Sequence, residues 1–555
     1  MMDHVGASAR EETESPHRQD GRVRAPGSGW PVLLPAAGML IAILTVLAVR
    51  IRLLDVPLER DEGEYAYIGQ LMLQGIAPYR LAANMKLPGT HAAYALIMAV
   101  FGQTTSGIHL GFLLVNMACI VLVYFLARRF FGWLGGLAAA AGYAVLSVGA
   151  GFDGLWAHAT HFVVLFALGA TILLLKWRDR PRILLLIGSG LLYGVAFLMK
   201  QQGILFALFG GLYLIGIQRK QWRSHGGPAI RNLAVFAGAA ALPFGITCVL
   251  LWRAGVFDKF WFWVFTYASR YVLIRPLSAG VADFEFNAGR ILGYDLALCG
   301  LAAVGLYLLW RDERHRRSAL TITGFLAFSG MAVCPGLYFR PHYFVLMLPA
   351  VALLIGAVAA GAKSTLAGSI PLWLILAGLA YSMVSERDYL FLMSPYQVAH
   401  SVYGTDPFPE AIPIANYIRA HTDAEDRIVV LGSEPEIYFY SHRQAATPYL
   451  YVYPLTEPQP LGAQMREEFV DEVEAWKPKY LVFVNTAGSW GFHIENSTRV
   501  LLDWGEQYYR RNYDEVGIAD ISDGETTYKW DGDAVNYRAA SLDTVVVFKR
   551  KEADR

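Results

Sequence analysis

The sequence is short of charged residues. Asp, Glu, Lys and Arg make up 17% of its 555 residues, against about 25% in an average soluble domain. Apolar residues make up 55%, and the mean hydropathy is +0.36. This composition excludes a disordered protein and argues against a soluble enzyme. It predicts an integral membrane protein.

Cysteine is also scarce, and neither sign of charge is in excess. The few cysteines lie in or at the ends of apolar runs, without the spacing of a zinc site or a disulfide framework. The net charge of +1 gives no indication of nucleic-acid binding, so we expect no nucleic-acid partner. The cysteines are Cys119, Cys248, Cys299 and Cys334.

The charges are divided unevenly along the chain. Residues 385–555 hold 28 acidic and 16 basic residues, whereas the preceding part holds 18 acidic and 31 basic residues. Residues 1–29 are polar and predicted to be disordered. We therefore predict a disordered cytoplasmic N terminus (1–29), a membrane domain (30–384) and a soluble extracytoplasmic α/β domain (385–555).

Eleven apolar runs are long enough, or nearly so, to cross about 30 Å of hydrocarbon. The first has no small-residue cleavage site after it, so we interpret it as an uncleaved helix rather than a signal peptide. The count is open by one or two, because the stretch 183–218 also fits a re-entrant pair. The runs are 31–49, 107–127, 134–152, 159–175, 183–199, 203–218, 232–252, 291–310, 319–335, 342–360 and 368–384.

Basic residues occur on alternate turns between these runs. They cluster at 128–129, 176–182, 219–223 and 311–317, whereas the turn at 149–159 has no Lys or Arg. By the positive-inside rule the basic turns are cytoplasmic. The N terminus is then inside, and the acidic tail is outside together with two long loops, 50–106 and 253–290.

The acidic tail has the pattern of a mixed α/β domain. Three β-rich runs lie at 427–431, 480–484 and 544–549, and helical spacing of apolar residues lies at 463–476 and 497–510. Strands that alternate with helices favour a small, partly parallel sheet. The predicted fold class is a polytopic α-helical membrane protein of about 11 transmembrane helices with a C-terminal extracytoplasmic α/β domain.

The first outer loop carries the residues best suited to chemistry. A short helix is predicted from Asp61 to Gln74, stopped by Gly75, with Asp61 and Glu64 on one face. Lys86 follows about 25 residues after Asp61. A carboxylate can deprotonate an acceptor hydroxyl, and a nearby ammonium can neutralise a departing phosphate on a membrane lipid. The alternative is that the carboxylates only cap an interfacial helix.

Other outer positions carry candidates for the same chemistry. Arg340, His342 and Tyr343 stand at the outer start of a late span, where a forked guanidinium can bind phosphate. Lys200 lies between two apolar runs, and Arg270 lies in an aromatic-basic cluster of the second outer loop. Each of these residues also fits a side chain at the membrane interface whose charged end extends into water and has no catalytic role.

A further outer turn contains two histidines at helical spacing. His158 and His161 could hold a metal with Asp153 nearby, but hydrogen bonding within the bundle is the favoured interpretation. We therefore predict no metal site and no cofactor, with a divalent metal possible but not indicated.

Residues 58–131 resemble the GT-C superfamily of polyprenyl-phosphate-sugar-dependent glycosyltransferases. The branch most similar is that of the protein O-mannosyltransferases and the aminoarabinose transferase, related to glycosyltransferase family 39. The resemblance rests on an Asp-Glu pair after the first span, a Lys-Leu-Pro-Gly segment, a late His-Tyr pair and motifs of the tail. These are Asp61-Glu62, residues 86–89, His342-Tyr343, residues 429–432, Pro435, Ile437-Tyr438 and residues 449–451.

The resemblance implies a membrane glycosyltransferase acting on the outer side of a bacterial inner membrane. It implies that Asp61 is the general base and that Lys86 contacts the carrier phosphate. We assign a second set of residues to binding of the donor phosphate or sugar: Glu62, Lys200, Arg270, Arg340, His342 and Tyr343. The transfer would be inverting, from a polyprenyl-phosphate monosaccharide to a lipid, polysaccharide or protein hydroxyl. One departure is His158-Ala159-Thr160, where relatives often carry an acidic residue.

Two other functions remain open at this stage. A transporter or flippase of lipid-linked glycans would need charges near the middle of the membrane, and the predicted spans hold few. A non-catalytic scaffold would use the tail to bind a partner and would not need Asp61 or Lys86.

Overall fold

The computed structural model describes residues 30–219, 226–313, 316–491, 496–522 and 525–552. Residues 1–29, predicted to be disordered, lie outside the described residues. The described chain forms a helical bundle followed by a mixed α/β region, here called the tail (described residues from 386 onward).

Seven helices of the described residues are long and apolar enough to cross a membrane, and four shorter apolar helices accompany them. The eleven predicted apolar runs fall on these helices, while the number of crossings stays a prediction. The first part of the chain forms α1 (Trp30–Arg52), α2 (Arg60–Leu73), α3 (Gly89–Phe101), α4 (Thr105–Leu146), α5 (Ala159–Asp179), α6 (Ile183–Met199) and α7 (Ile204–Ile217). The later bundle helices are Gly226–Arg253, Leu277–Arg311, Arg316–Val333, Leu348–Val358 and Leu366–Ser385.

The longest helix, α4, is bent at Gly132. This residue has φ +74° and ψ −175°, a conformation that glycine adopts and side-chain-bearing residues rarely do. Arg128 and Arg129 come just before the bend. The bend therefore accounts for two apolar runs, separated by a basic turn, within one continuous helical element.

Two of the basic turns, at 128–129 and 176–182, lie at one end of the bundle, here called the basic end. Arg129, before the α4 bend, pairs with Asp179 at the end of α5. Arg178 donates a hydrogen bond to the hydroxyl of Tyr213 in α7 at 3.2 Å. The clustering agrees with the alternation of basic turns in the sequence, and the orientation in a membrane stays a prediction.

The two long loops predicted to face outside contain helices of their own. α2 begins and ends one residue earlier than predicted, and Gly75 follows it with φ +80°. In the second loop, the helix Leu277–Arg311 begins well inside the stretch predicted as loop. The other short elements there are Phe257–Trp261, the π-helical turn Phe262–Tyr267 and Ala268–Tyr271.

The tail contains a six-stranded sheet in the order β2-β1-β3-β6-β4-β5. β1 pairs parallel with β2 and β3, and the remaining pairs are antiparallel, so the sheet is partly parallel as predicted. The predicted strands correspond to β1, β3 and β6, and three others were not predicted. The strands are β1 (Arg427–Leu431), β2 (Gln444–Ala445), β3 (Tyr480–Asn485), β4 (Tyr513–Ser522), β5 (Glu525–Trp530) and β6 (Thr544–Arg550).

Helices flank this sheet and connect it to the bundle. The two predicted tail helices are Gly462–Trp476 and Asn496–Asn512, each within two residues of its expected bounds. The others are Asp388–Leu392, Pro395–Tyr403, Ala411–Ala420, Glu436–Ser441, Tyr453–Thr456, Ala487–Trp490 and Gly532–Val535.

The tail packs directly on α2. Arg60, at the start of α2, donates to the carbonyl oxygen of Ser433 at 2.7 Å and forms an ion pair with the buried Glu434 at 3.2 Å. Gly63 lies so close to the tail that a Cβ on it would be 2.6 Å from the backbone nitrogen of Glu436. The helix that carries Asp61 is thus held between the membrane bundle and the tail.

Candidate active site

Two adjacent carboxylates at the start of α2 point in different directions, because successive helical residues are turned by about 100°. Glu62 is completely buried and accepts hydrogen bonds from the Tyr94 hydroxyl at 3.3 Å and from the amide of Ala157. The His109 ring lies 3.2 Å from it. Asp61 keeps 25% of its side chain exposed. Glu62 therefore anchors α2 to the bundle, and the structure does not bring it to the side of Asp61.

Lys86 lies between two carboxylates of α2. Its Nζ donates to Oδ1 of Asp61 at 2.7 Å and also to Oε2 of Glu64. Its own backbone is fixed from both sides, because its N–H donates to Oδ1 of Asn84 at 2.6 Å and its carbonyl accepts from the Tyr79 hydroxyl at 2.7 Å. These backbone contacts hold the ammonium against Asp61.

The surrounding charges fix the ionisation of this pair. Burial opposes the charged form of Asp61, but Lys86, His158 and Arg340 outweigh it and hold the pKa of Asp61 well below its usual range. Burial also opposes the charged Lys86, yet Asp61 and Glu64 raise the pKa of Lys86 well above its usual value. At neutral pH the site therefore holds a carboxylate and an ammonium in contact.

Two buried imidazoles stack beside Asp61. The rings of His158 and His342 are 4.0 Å apart and nearly parallel, at 16°. Nε2 of His342 is 3.9 Å from Oδ2 of Asp61, and its Nδ1 is 4.0 Å from Oδ2 of Asp153. Nδ1 of His158 is 3.5 Å from Oε1 of Glu59. Ligand atoms of Asp61, His158 and His342 all lie within 4.8 Å of one another, so these residues could hold a metal ion.

Two further cations lie near Asp61. Lys200 joins α6 to the next helical turn, and its Nζ is 4.0 Å from the ring centroid of Tyr343. Arg340 is exposed and lies over the ring of Tyr338 at 5.7 Å. Both interact electrostatically with Asp61. Within the described ranges, no carboxylate lies within ion-pair distance of either cation.

Lys200 is the cation whose charge is easiest to change. Burial lowers the pKa of Lys200 to about 7, with Asp61 opposing the shift and Lys86 and Arg340 adding to it. The side-chain amine of Lys200 is therefore only partly protonated at neutral pH. An anion beside it would restore the charged form.

The structure brings together most of the residues predicted from the sequence. Arg270 is not among them, because it lies exposed on the short helix Ala268–Tyr271 and its side chain makes no hydrogen bond or ion pair with another described residue. Glu62 is directed inward, as described above. The residues that lie together are Asp61, Lys86, Lys200, Arg340, His342 and Tyr343.

Sequence reasoning assigned no site role to several residues that the structure places here. Glu64 shares a helical face with Asp61, and this spacing was the available signal. His158 was considered together with His161 and Asp153, whereas its neighbour in space is His342. Tyr451 comes from the tail, with its ring 5.8 Å from Nζ of Lys86 and its hydroxyl donating to the carbonyl of Arg60 at 3.3 Å. No local pattern links Tyr451 to α2.

Part of the chain matches a known family. Residues 86–252 match the family described as dolichyl-phosphate-mannose-protein mannosyltransferase. A search of curated protein sequences finds no match. The matched segment begins at Lys86 and includes His158 and Lys200.

Two solved structures of ArnT share the fold over nearly the whole chain. ArnT from Cupriavidus metallidurans bound to undecaprenyl phosphate is 16% identical with a TM-score of 0.55, covering 92% of this chain and 97% of ArnT. ArnT in the apo state is 16% identical with a TM-score of 0.53, covering 92% and 98%. The oligosaccharyltransferase AglB from Archaeoglobus fulgidus is 12% identical with a TM-score of 0.48, covering 90% and 74%.

The similarity to ArnT extends through the bundle and the tail, which are the two parts that meet at α2. At this level of identity it establishes a common fold. The match to the mannosyltransferase family model covers the segment from Lys86 to residue 252.

Proposed function

We propose that the protein transfers one sugar from a polyprenyl-phosphate carrier to a hydroxyl acceptor, with Asp61 as the general base. The observation that carries the proposal is the contact between Asp61 and Lys86 beside two cations that have no carboxylate partner among the described residues. A carboxylate accepts a proton, and an excess of cations stabilises a phosphate. Inverting transfer from a phosphate ester needs both in one place.

The reaction is a single displacement at the anomeric carbon. The acceptor oxygen forms a bond to this carbon while the bond to the phosphate oxygen breaks, and the acceptor proton passes to Asp61. The carrier phosphate leaves with the bonding electrons, and Lys86, Lys200 and Arg340 stabilise its charge. Attack opposite the leaving phosphate inverts the anomeric configuration.

The resting Asp61 is a weak base, because Lys86 is in direct contact with it. The donor phosphate adds negative charge next to Lys86, which weakens the hold of the ammonium on Asp61 and raises the proton affinity of the carboxylate. Donor binding would thus prepare the base. Without donor, Asp61 would stay ionised and paired with Lys86, and it would be too weak a base to activate water.

Support for a lipid-linked donor comes from the fold. ArnT, which shares it, was solved with undecaprenyl phosphate bound, and the matching family carries a dolichyl-phosphate sugar in its description. The site also lies at the end of the bundle opposite to the basic turns, which suits an extracytoplasmic reaction in the bacterial inner membrane. The acceptor would be a lipid, a polysaccharide or a protein.

The test is transfer by purified protein in lipid vesicles. A polyprenyl phosphate carrying a radiolabelled sugar is supplied with candidate acceptors, and label that moves from the carrier to an acceptor is counted after the two are separated by chromatography. Asp61→Asn keeps the size of the side chain and removes the base, so we expect transfer to fall by about 10²–10⁴-fold. Arg270→Ala is the matched control and keeps full activity.

Two results would contradict the proposal. Full activity of Asp61→Asn, with melting temperature and insertion unchanged, would exclude Asp61 as the base. Movement of the intact labelled lipid across the bilayer without transfer of its sugar would favour the flippase function instead.

A further inference from the structure

A cavity of about 380 Å³ lies where the two long loops, 50–106 and 253–290, meet the tail. Its floor is apolar and aromatic, and the rings of Trp263 and Tyr449 stand edge to face there with centroids 6.0 Å apart. Tyr79 and Met465 complete this buried floor. The volume and the lining are those of a site for a small molecule or a single side chain.

Carboxylates surround the aromatic floor. Asp258, Glu468 and Glu472 line the cavity, and Lys259 is the single cation among its described lining residues. Asp258, Lys259 and Glu468 are exposed and form the mouth of the cavity. The cavity is therefore negatively charged, in contrast to the cation-rich surroundings of Asp61.

The charges of two of these carboxylates are poorly compensated. The Tyr449 hydroxyl donates to Oε2 of Glu468 at 2.6 Å, and the amide of Gln464 donates to Oε1 at 2.9 Å. Both donors are neutral, so they orient the carboxylate without compensating its charge. Oε2 of Glu472 is buried and has no hydrogen-bond partner among the described residues. Burial raises the pKa of Glu472, so a cation in the cavity would stabilise its charged form.

A basic side chain matches both parts of the cavity. Lysine and arginine carry a charged group on a chain of methylenes, and such a chain packs on apolar surface while its end stays with polar groups. The aromatic floor of Trp263 and Tyr449 fits the methylenes. An ammonium or guanidinium is attracted both by carboxylates and by aromatic faces.

We propose that the cavity binds a lysine or arginine side chain of a polypeptide, with Glu468 and Glu472 as the residues that hold its charge. Because the mouth is exposed, the side chain can enter from the aqueous side while the polypeptide backbone stays outside. A neutral sugar could donate hydroxyl hydrogens to the carboxylates but would leave their negative charges uncompensated. Charge complementarity therefore favours a cation over a sugar.

The segment that carries Lys86 forms one wall of the cavity. Tyr79 lines the cavity and its hydroxyl donates to the carbonyl of Lys86, and Ala83 donates through its N–H to the carbonyl of Pro448 at 2.7 Å. One lysine residue and two polar contacts thus separate Tyr79 from Asp61, about 15 Å at most, which about five extended residues span.

This proximity links the cavity to the acceptor. If the proposed function holds, the bound basic residue lies within about five positions of the hydroxyl that accepts the sugar. This consequence rests on the proposed function, whereas binding of the basic side chain does not. The two are separated by measuring binding without any donor.

The test uses the full-length protein in nanodiscs and two fluorescently labelled peptides with blocked ends. Each peptide carries one serine and, a few positions later, either lysine or acetyl-lysine, because acetylation keeps the methylenes and removes the charge. By fluorescence anisotropy we expect the lysine peptide to bind at least about tenfold more tightly. Glu468→Gln and Glu472→Gln should each reduce this preference to about threefold or less. Glu467→Gln makes the same change at an exposed position of the same helix outside the cavity and keeps the full preference.

The three glutamine variants should melt at the wild-type temperature, which controls for folding. Equal affinity for the two peptides, or a preference retained in both Glu468→Gln and Glu472→Gln, would overturn the proposal. Tighter binding of free diaminobutane or of a neutral glucose trisaccharide than of the lysine peptide would also overturn it, by identifying a different occupant.

The proposed function can fail separately from this inference. Asp61→Asn should bind the lysine peptide with the wild-type preference. A wild-type protein that prefers the lysine peptide but transfers no sugar from any polyprenyl phosphate would overturn the proposed function and leave the cation site standing. Sugar transfer without any preference for lysine would overturn the cation site alone.

Discussion

The two ends of the membrane bundle use charge in different ways. At the basic end Arg129 pairs with Asp179, and both side chains are substantially open to solvent, at 26% and 45%. At the opposite end Lys86 is 18% exposed and contacts two carboxylates, while Lys200 and Arg340 have none among the described residues. Exposed pairs of the first kind contribute little, whereas a largely buried cation such as Lys86 is costly unless carboxylates compensate its charge. Under the proposed function and the predicted orientation, charge would set the position in the membrane at one end and would act on the donor phosphate at the other.

The largest effect should follow from removing the central cation. Lys86→Met leaves Asp61 and Glu64 facing each other without an ammonium between them. We expect sugar transfer to be lost and the free energy of unfolding to fall by about 3–5 kcal/mol. Radiolabel transfer and thermal unfolding measure the two effects. A variant as stable and active as wild type would show that the charges at the two ends of the bundle do not differ in importance.

A smaller effect is expected from a cation that has no partner to lose. Arg340→Ala removes a donor to the carrier phosphate without leaving a carboxylate unpaired. We expect the KM for the lipid donor to rise by about 10–100-fold, the magnitude of one charged hydrogen bond. The melting temperature should stay at the wild-type value. An unchanged KM would remove Arg340 from the phosphate site.

The charge of Lys200 gives a pH dependence. The pKa of Lys200 is lowered to about 7, so the ammonium is present below this pH and is lost as the pH rises through it. Affinity for polyprenyl phosphate should therefore fall above pH 7, by up to about tenfold per pH unit. Isothermal titration from pH 6 to 9 measures it. Lys200→Arg keeps the charge and should flatten the profile, and a sloping profile in this variant would assign the titration to another group.

The smallest effect belongs to the basic end. Arg129→Ala breaks an exposed ion pair, so the free energy of unfolding should change by no more than about 1 kcal/mol. Sugar transfer should be unaffected. A loss of activity comparable to that of Arg340→Ala would show that the two ends are coupled through the bundle.

Local patterns predicted the elements well and the assembly of the site only in part. The start of α2, its end at Gly75 and the apolar runs follow from capping and periodicity, which depend on neighbouring residues. The contact between Asp61 and Lys86 was expected because both stand in one loop. The stack of His158 on His342 joins residues 184 positions apart, and no periodicity encodes such a contact.

The tail shows the same limit. β1, β3 and β6 are compact runs of β-branched residues, and these were predicted. β4 mixes charged and small residues with apolar ones, so its pattern was too weak to identify. The Asp-Gly pair at 523–524, between β4 and β5, is typical of two-residue hairpin loops and was an unused signal in the sequence.

The close approach of Gly63 to Glu436 has a consequence for engineering. A methyl group at position 63 would clash with the backbone of Glu436 and push the tail away from α2. Chimeras that exchange tails between relatives must therefore keep glycine at position 63. This requirement comes before any matching of surface residues. A graft that ignores it would separate Tyr451 from Lys86 even if both halves fold.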